Sequence, residues 1–233
     1  MSTQRSFDHL VFDLDDTLLD TFRQLVPRAS REAVVAMIEA GLNADVEAAL
    51  AAWDEHGRTA PRREIFSHLA TKFGLREGFD PSAVEKRGYH TFYNRKVETD
   101  ITLFEGTREL LTSLRESYVL HLVTSGSKVT QEEKIRILGI RGFFSSITHV
   151  DPSRGDKKGA AFKAIGEKSQ VLPSRHLSIG NRVDTDVGEA RAIGWKGCWV
   201  RYGEHMAMMP SSEIEMPDFV VDNILELRDK CRL

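Results

Sequence analysis

The stretch HLVFDLDDTLLD, residues 9–20, sets Asp13, Asp15, Asp16 and Thr17 directly behind a run that reads as a buried strand. A carboxylate left unpaired beside a core is costly, so something cationic is expected among them. Two more strand-like runs end in complementary residues: Thr124 and Ser125 follow YVLHLV, and Asn181, Asp184 and Asp186 follow HLSIG. Lys157 and Lys158 stand just before the helical run GAAFKAI. In an open parallel sheet, ligands bind beyond the carboxyl ends of the strands. Carboxylates gathered there with a lysine and a hydroxyl suit a magnesium-dependent phosphoryl site, in which hard oxygen ligands hold the ion while the ion and the ammonium neutralise phosphate charge.

The elements that must position these residues are legible as an alternation. HLVFDL (9–14), YVLHLVT (118–124), SITHV (146–150), HLSIG (176–180), KGCWV (196–200) and DFVV (218–221) read as strands. Between them, from residue 100 onward, TRELLTSLRES, TQEEKIRILG, GAAFKAIGEKS and TDVGEARAIG carry apolar residues at helical spacing. Thr130 and Glu133 have the spacing of a capping box, and Gly139 is placed to end that helix in the left-handed conformation. This pattern predicts an α/β fold, a doubly wound parallel sheet covered by helices on both faces.

Residues 20–99 contain no convincing strand. Four amphipathic helices are expected there, with Asn43 and Asp80 as N-caps and Pro81 at a first helical position. The expected organisation is therefore a core domain formed by 1–19 and 100–233, with an all-helical insert over 20–99. Within the insert His56, His68 and His90 read as satisfied or solvated side chains, YHTFY (89–93) as a core-facing stripe, and Arg58, Arg62 and Arg63 as a solvated helix start.

Composition bounds the function classes. The 233 residues are 41% hydrophobic and 29% charged, and 32 Lys+Arg against 35 Asp+Glu give a net charge of −3, which carries no nucleic-acid or membrane footprint. Cys198 and Cys231, the two cysteines, are too few for a disulfide framework or a cysteine metal site. Asp8 and Asp13 interrupt any apolar N-terminal stretch, so the chain is expected to be cytoplasmic.

FDLDDTL, LVTSG, the lysine before GAAF, and IGNRVDTD together resemble the four ordered motifs of the haloacid dehalogenase-like (HAD) hydrolases, most of which are phosphatases. The resemblance spans the chain and implies a Rossmann-like core with an α-helical cap domain where the insert lies. It implies that Asp13 is the nucleophile, forming an aspartyl-phosphate on a small phosphorylated metabolite, and that Asp13 also binds Mg2+. Asp15 would protonate the leaving oxygen, deprotonate the attacking water and offer its backbone carbonyl to the metal. Thr124, with Ser125, would bind the phosphoryl group. The motif lysine would be Lys158 or, one position earlier, Lys157. One departure stands out: the fourth motif usually begins Gly-Asp, whereas here Gly180 precedes Asn181, whose amide oxygen can ligate a metal without bringing charge. Asp186 matches that motif's second acid and joins the implied metal set, while Asp184 reads as a helix cap. A carbon–halogen hydrolase, a sugar-phosphate mutase and a non-catalytic binding module are the alternatives. Asp15 argues against the first, and intact Asp13, Asp15 and Thr124 against the last.

Overall fold

The computed structural model describes residues 5–57, 64–94, 96–97 and 100–233, which leaves Arg58, Arg62 and Arg63 outside the described residues. The chain divides into two compact units, Met1–Thr21 with Thr99–Leu233, and Phe22–Glu98. In chain order the elements begin with β1 (His9–Phe12) and a single helical turn, α1 (Thr21–Gln24). Four longer helices follow: α2 (Val26–Glu39), α3 (Val46–Gly57), α4 (Ile65–Phe73) and α5 (Pro81–Tyr93). The remainder runs α6 (Thr107–Leu114), β2 (Val119–Ser125), α7 (Lys128–Leu138), β3 (Ser146–Val150), α8 (Lys158–Ser169), β4 (His176–Gly180), α9 (Glu189–Arg191), β5 (Lys196–Val200), β6 (Phe219–Val221) and α10 (Leu227–Lys230).

The six strands form one parallel sheet in the order β3-β2-β1-β4-β5-β6. Parallel strands covered on both faces need near-continuous apolar runs, and HLSIG of β4 is buried along its whole length. Val11, Val123 and Val150 pack on one face against Ala161, Phe162 and Ile165 of α8 and Trp195 beyond α9. The alternate residues Leu10, Phe12, Leu120 and Leu122 point the other way by strand periodicity and are also buried. This is the doubly wound, Rossmann-like arrangement. Its strand order reverses between β1 and β4, and in such sheets ligands bind beyond the carboxyl ends of the strands at that point, here beyond Phe12 and Gly180.

The helical unit has a core of its own, built on Met37, Leu42, Trp53, Phe66, Leu69, Val84 and Phe92. Gly88 lets α5 approach α2, since a Cβ there would lie 2.6 Å from the Met37 sulfur. Asp80 caps α5, accepting from the Ser82 and Ala83 N–H groups ahead of Pro81. Asn43 does not cap α3. Its N–H is committed to the Gly74 carbonyl beside a bridge from Leu42 to Leu75, and Asp45 takes the capping place by accepting from Ala48 N–H. In YHTFY, Phe92 enters the core, whereas Tyr89 and Tyr93 stay partly exposed and touch Phe66 edge-on. His56 and His68 stack at 4.4 Å, and His90 is exposed.

Two boundaries in the sheet unit also differ from the sequence reading. α7 begins at Lys128, before Thr130, so the expected capping box lies inside the helix, and Gly139 ends it with φ 60°. TDVGEARAIG is not one helix: Val183–Gly188 form a π-helical turn before the short α9. Among the described residues no helix is long and apolar enough to cross a membrane.

Candidate active site

Asp13 leaves β1 at the point where the strand order reverses, and its N–H is fixed to the Ile179 carbonyl of β4 at 2.9 Å. The side chain is buried, and Lys158 Nζ donates to its Oδ1 at 2.7 Å. The same ammonium donates to Asp186 Oδ1 at 2.6 Å, so one cation lies between two carboxylates. Burial pushes the Asp13 carboxyl up to about 7, against the pull of Lys158 and with help from the Asp186 and Asp15 charges. Burial alone would favour a neutral lysine, but the two carboxylates overcome it and hold Lys158 firmly protonated.

Local folding explains why Lys158 fills this place. Lys157 is the extended residue before α8 and is exposed, whereas Lys158 opens the helix and is buried. The structure brings Lys158 to Asp13 and leaves Lys157 at the surface, outside the site. Asp186 is anchored from its other oxygen, which accepts from the Arg182 N–H at 3.0 Å across the π-helical turn. Gly180 is what admits it, because a Cβ at that position would lie 2.2 Å from Asp186 Cγ.

Each Asp186 oxygen thus accepts from one protein donor, which makes the residue an anchor for Lys158, and each oxygen keeps a further lone pair. Asp184 does not join the site. It accepts two hydrogen bonds from the Arg182 guanidinium, at 3.0 and 2.5 Å, and one from Thr185 N–H. Burial raises the Asp184 carboxyl, but these donors hold it below the usual carboxylate range.

Asn181 is buried, and its backbone carbonyl accepts from Trp199 Nε1 at 3.0 Å. Among the described residues no group of three His, Cys, Asp or Glu side chains is set to hold a metal. The residues that follow β1 and β4 nonetheless offer mixed oxygen donors: the carboxylates of Asp13 and Asp186, the Asp15 backbone carbonyl and the Asn181 amide. Those are hard donors of the kind a magnesium ion takes, with the remaining positions left to water and substrate phosphate.

Asp15 is held from three directions. Lys134 Nζ donates to Oδ1 at 2.7 Å, Thr21 Oγ1 donates to the same oxygen, and Gln131 Nε2 donates to Oδ2 at 2.7 Å. Burial would raise this carboxyl, yet Lys134 and the three hydrogen bonds outweigh it and hold Asp15 below its ordinary range, in the ionised form. Gln131 also donates to Thr124 Oγ1 at 2.9 Å and to the Ser125 carbonyl at 2.6 Å. Since Thr124 Oγ1 accepts there, its own hydrogen is left to donate to a ligand.

Gln131, Lys134 and Thr21 escape the sequence reading. A signal exists for the first two: with Ile135 and Leu138 they form the buried face of α7, an apolar stripe interrupted by an amide and a charge. A polar residue on such a stripe calls for a buried partner.

Over residues 7–194 the chain matches the model of the haloacid dehalogenase-like hydrolases. Among curated proteins it is 33% identical over 202 residues to a glyceraldehyde 3-phosphate phosphatase of Pyrococcus abyssi, covering 84% of this chain and 82% of the relative. It is 30% identical over 231 residues to a protein of the same name from Methanopyrus kandleri, covering 96% of each. Among solved structures it is similar to a predicted phosphoglycolate phosphatase from Haemophilus somnus, with a TM-score of 0.71, 19% identity and coverage of 97% and 98% of the two chains. It is also similar to the HAD-hydrolase YfnB of Bacillus subtilis, solved bound to magnesium, with a TM-score of 0.65, 23% identity and the same coverage. At these identities the two structures speak to the fold.

Proposed function

The chain belongs to the haloacid dehalogenase-like hydrolase family, and from that premise we propose that it is a magnesium-dependent phosphomonoester hydrolase acting on a small phosphorylated metabolite through an aspartyl-phosphate on Asp13. The observation that carries this reading is the Asp13–Lys158–Asp186 arrangement at the switch point of the sheet. It sets a carboxylate on a rigid strand end beside a permanent cation, which is what a weak carboxylate nucleophile needs to approach a phosphate dianion.

In the first step an Asp13 oxygen forms a bond to phosphorus as the ester P–O bond breaks. Lys158 offsets the charge on the phosphoryl oxygens, and the Thr124 hydroxyl donates to one of them. The departing oxygen takes a proton from Asp15, whose carboxyl is drawn upward once a phosphate dianion lies beside it. In the second step a water oxygen attacks phosphorus, its proton passes to Asp15, the bond to Asp13 breaks and inorganic phosphate leaves. Asp13, the Asp15 carbonyl, Asn181 and Asp186 would hold Mg2+, which would supply further charge neutralisation at the phosphoryl oxygens. YfnB, similar in fold, was solved bound to magnesium, which makes that ion the first to test.

The names of the archaeal relatives make glyceraldehyde 3-phosphate the first substrate to test. The helical unit Phe22–Glu98, folded around its own core, is assigned the role of a substrate-selecting cap. Two cysteines in 233 residues are too few for a disulfide framework, which suits a reducing compartment such as the cytoplasm. The test is phosphate release from glyceraldehyde 3-phosphate, phosphoglycolate and p-nitrophenyl phosphate, with magnesium and with a chelator. Magnesium-dependent release that disappears in Asp13→Asn supports the reading, and release that survives both chelation and Asp13→Asn overturns it.

A further inference from the structure

The buried face of α7 carries two polar side chains, Gln131 at 2% and Lys134 at 7% exposure, in line with Ile135 and Leu138. Both meet the same carboxylate, more than a hundred residues earlier in the chain, and they divide its oxygens: Lys134 takes Oδ1 and Gln131 takes Oδ2 of Asp15. A buried ammonium without a partner is strongly disfavoured, and Asp15 is the carboxylate with which Lys134 forms its ion pair. Gln131 goes further. Its NH2 group faces Asp15, Thr124 Oγ1 and the Ser125 carbonyl together, while its own Oε1 is buried without a hydrogen-bond partner. Turning the amide over would satisfy Oε1 only by setting it against the carboxylate and the Ser125 carbonyl, so the three acceptors fix its orientation.

We infer that Lys134 and Gln131 are positioning residues that fix both oxygens of the Asp15 carboxylate, and that Gln131 ties this carboxylate to the Thr124 hydroxyl so that the proton-transfer group and the phosphoryl-binding group keep one relative placement. The inference rests on the role given to Asp15 under the proposed function. A carboxylate with three rotatable alternatives on a loop meets the leaving oxygen and the attacking water only part of the time. Clamped from α7, it meets them in every turnover. The consequence differs from that of a general packing role, because it is confined to steps in which Asp15 moves a proton.

A double-mutant cycle separates the two roles. The variants are Lys134→Met, Asp15→Asn and the pair, with Lys134→Arg and Gln131→Leu as further members, each assayed on p-nitrophenyl phosphate and on an alkyl phosphate. Lys134→Met is expected to lower kcat on the alkyl phosphate by roughly 10- to 100-fold with KM nearly unchanged, and by only a few-fold on the aryl ester, whose leaving group needs little protonation. In the Asp15→Asn background the same substitution is expected to change kcat by less than about twofold, since its target is already gone. Lys134→Arg should recover part of the alkyl activity, and Gln131→Leu should follow Lys134→Met in kind. An equal loss on both substrates, or the same loss with and without Asp15, would make Lys134 a structural residue and overturn the inference, as would an unchanged kcat in Lys134→Met. If Lys134→Met does not fold, Gln131→Leu and Lys134→Arg bear the same comparison. Asp15→Asn with wild-type activity on alkyl phosphates would overturn the Asp15 role itself, and the inference with it.

Discussion

Lys158 Nζ lies 2.7 Å from Asp13 Oδ1 in a site where both residues are buried. The lysine, at the start of α8, links two separate strand ends, because its other contact, Asp186 at 2.6 Å, hangs from the turn after β4. Removing the ammonium leaves two carboxylates facing one another without a cation, which is costly in itself. Lys158→Met should therefore lower phosphatase turnover by on the order of 10³-fold or more and also lower thermal stability at neutral pH. Lys157→Ala, at an exposed position, should leave both within experimental scatter. Phosphate-release assays and melting curves on the two variants check the assignment, and a large loss in Lys157→Ala would reverse it.

Gly180 gives a steric test of the same cluster. A methyl group at this position would stand 2.2 Å from Asp186 Cγ, so alanine forces the Asp186 carboxylate away from Lys158 and from the Arg182 N–H. Gly180→Ala should cost about 1–3 kcal/mol of stability through overpacking and lose most activity. Chemical denaturation gives the first quantity. A variant as stable and as active as wild type would mean that the turn adjusts without using Asp186 as an anchor.

How much of this is written in the sequence depends on what each residue answers to. Asp13, Thr124 and Lys158 follow from local rules, since each sits where a strand ends or a helix begins and the alternation of elements fixes those places. The ambiguity between Lys157 and Lys158 is one of phase, settled only by which residue the first helical turn rotates inward. Gln131 and Lys134 answer to a partner 116 and 119 residues away, and no local pattern names it. Asp186 is legible as an acid of the site, but that both its oxygens serve protein donors depends on the π-helical turn after Arg182. Asn43 reads as a cap because its type suits one, but α3 begins at Val46, so the capping place falls to Asp45.

Asn181 tests the metal set. If its amide oxygen is a ligand, Asn181→Asp adds a charge at the ion and should lower the magnesium concentration for half-maximal activity, while turnover at saturating metal falls as the added charge repels phosphate. Asp186→Ala should lower turnover through the loss of the Lys158 anchor. Magnesium titrations of activity decide it: half-saturation unmoved in Asn181→Asp would remove Asn181 from the ligand set.

At the opposite end of the sheet, His9, His121 and His176 lie side by side, with ring centroids of His9 at 5.3 Å from His121 and 4.9 Å from His176. Burial first, then the neighbouring histidines and Lys168, push His121 down to about 4, and His9 and His176 are lowered too, with Asp8 acting against the shift. Because the folded values lie below the unfolded 6.5, the unfolded chain binds more protons between them. Stability is then fully present above about pH 6.5 and declines as the pH falls toward 4. Melting temperatures across that window should fall more gently in His121→Asn than in wild type. Equal slopes would show that the histidine row does not carry the acid sensitivity.

In the proposed reaction, catalysis by Asp13 passes through a covalent bond between its carboxylate and phosphorus. That bond can be trapped by acid-quenching the enzyme during turnover of p-nitrophenyl phosphate with magnesium and mapping the phosphoryl group by peptide mass spectrometry. One phosphoryl group is expected on the peptide containing Asp13, labile to hydroxylamine as an acyl phosphate is, and absent in Asp13→Asn. Full turnover with no phosphorylated Asp13 peptide at any quench time, or activity retained by Asp13→Asn, would contradict it.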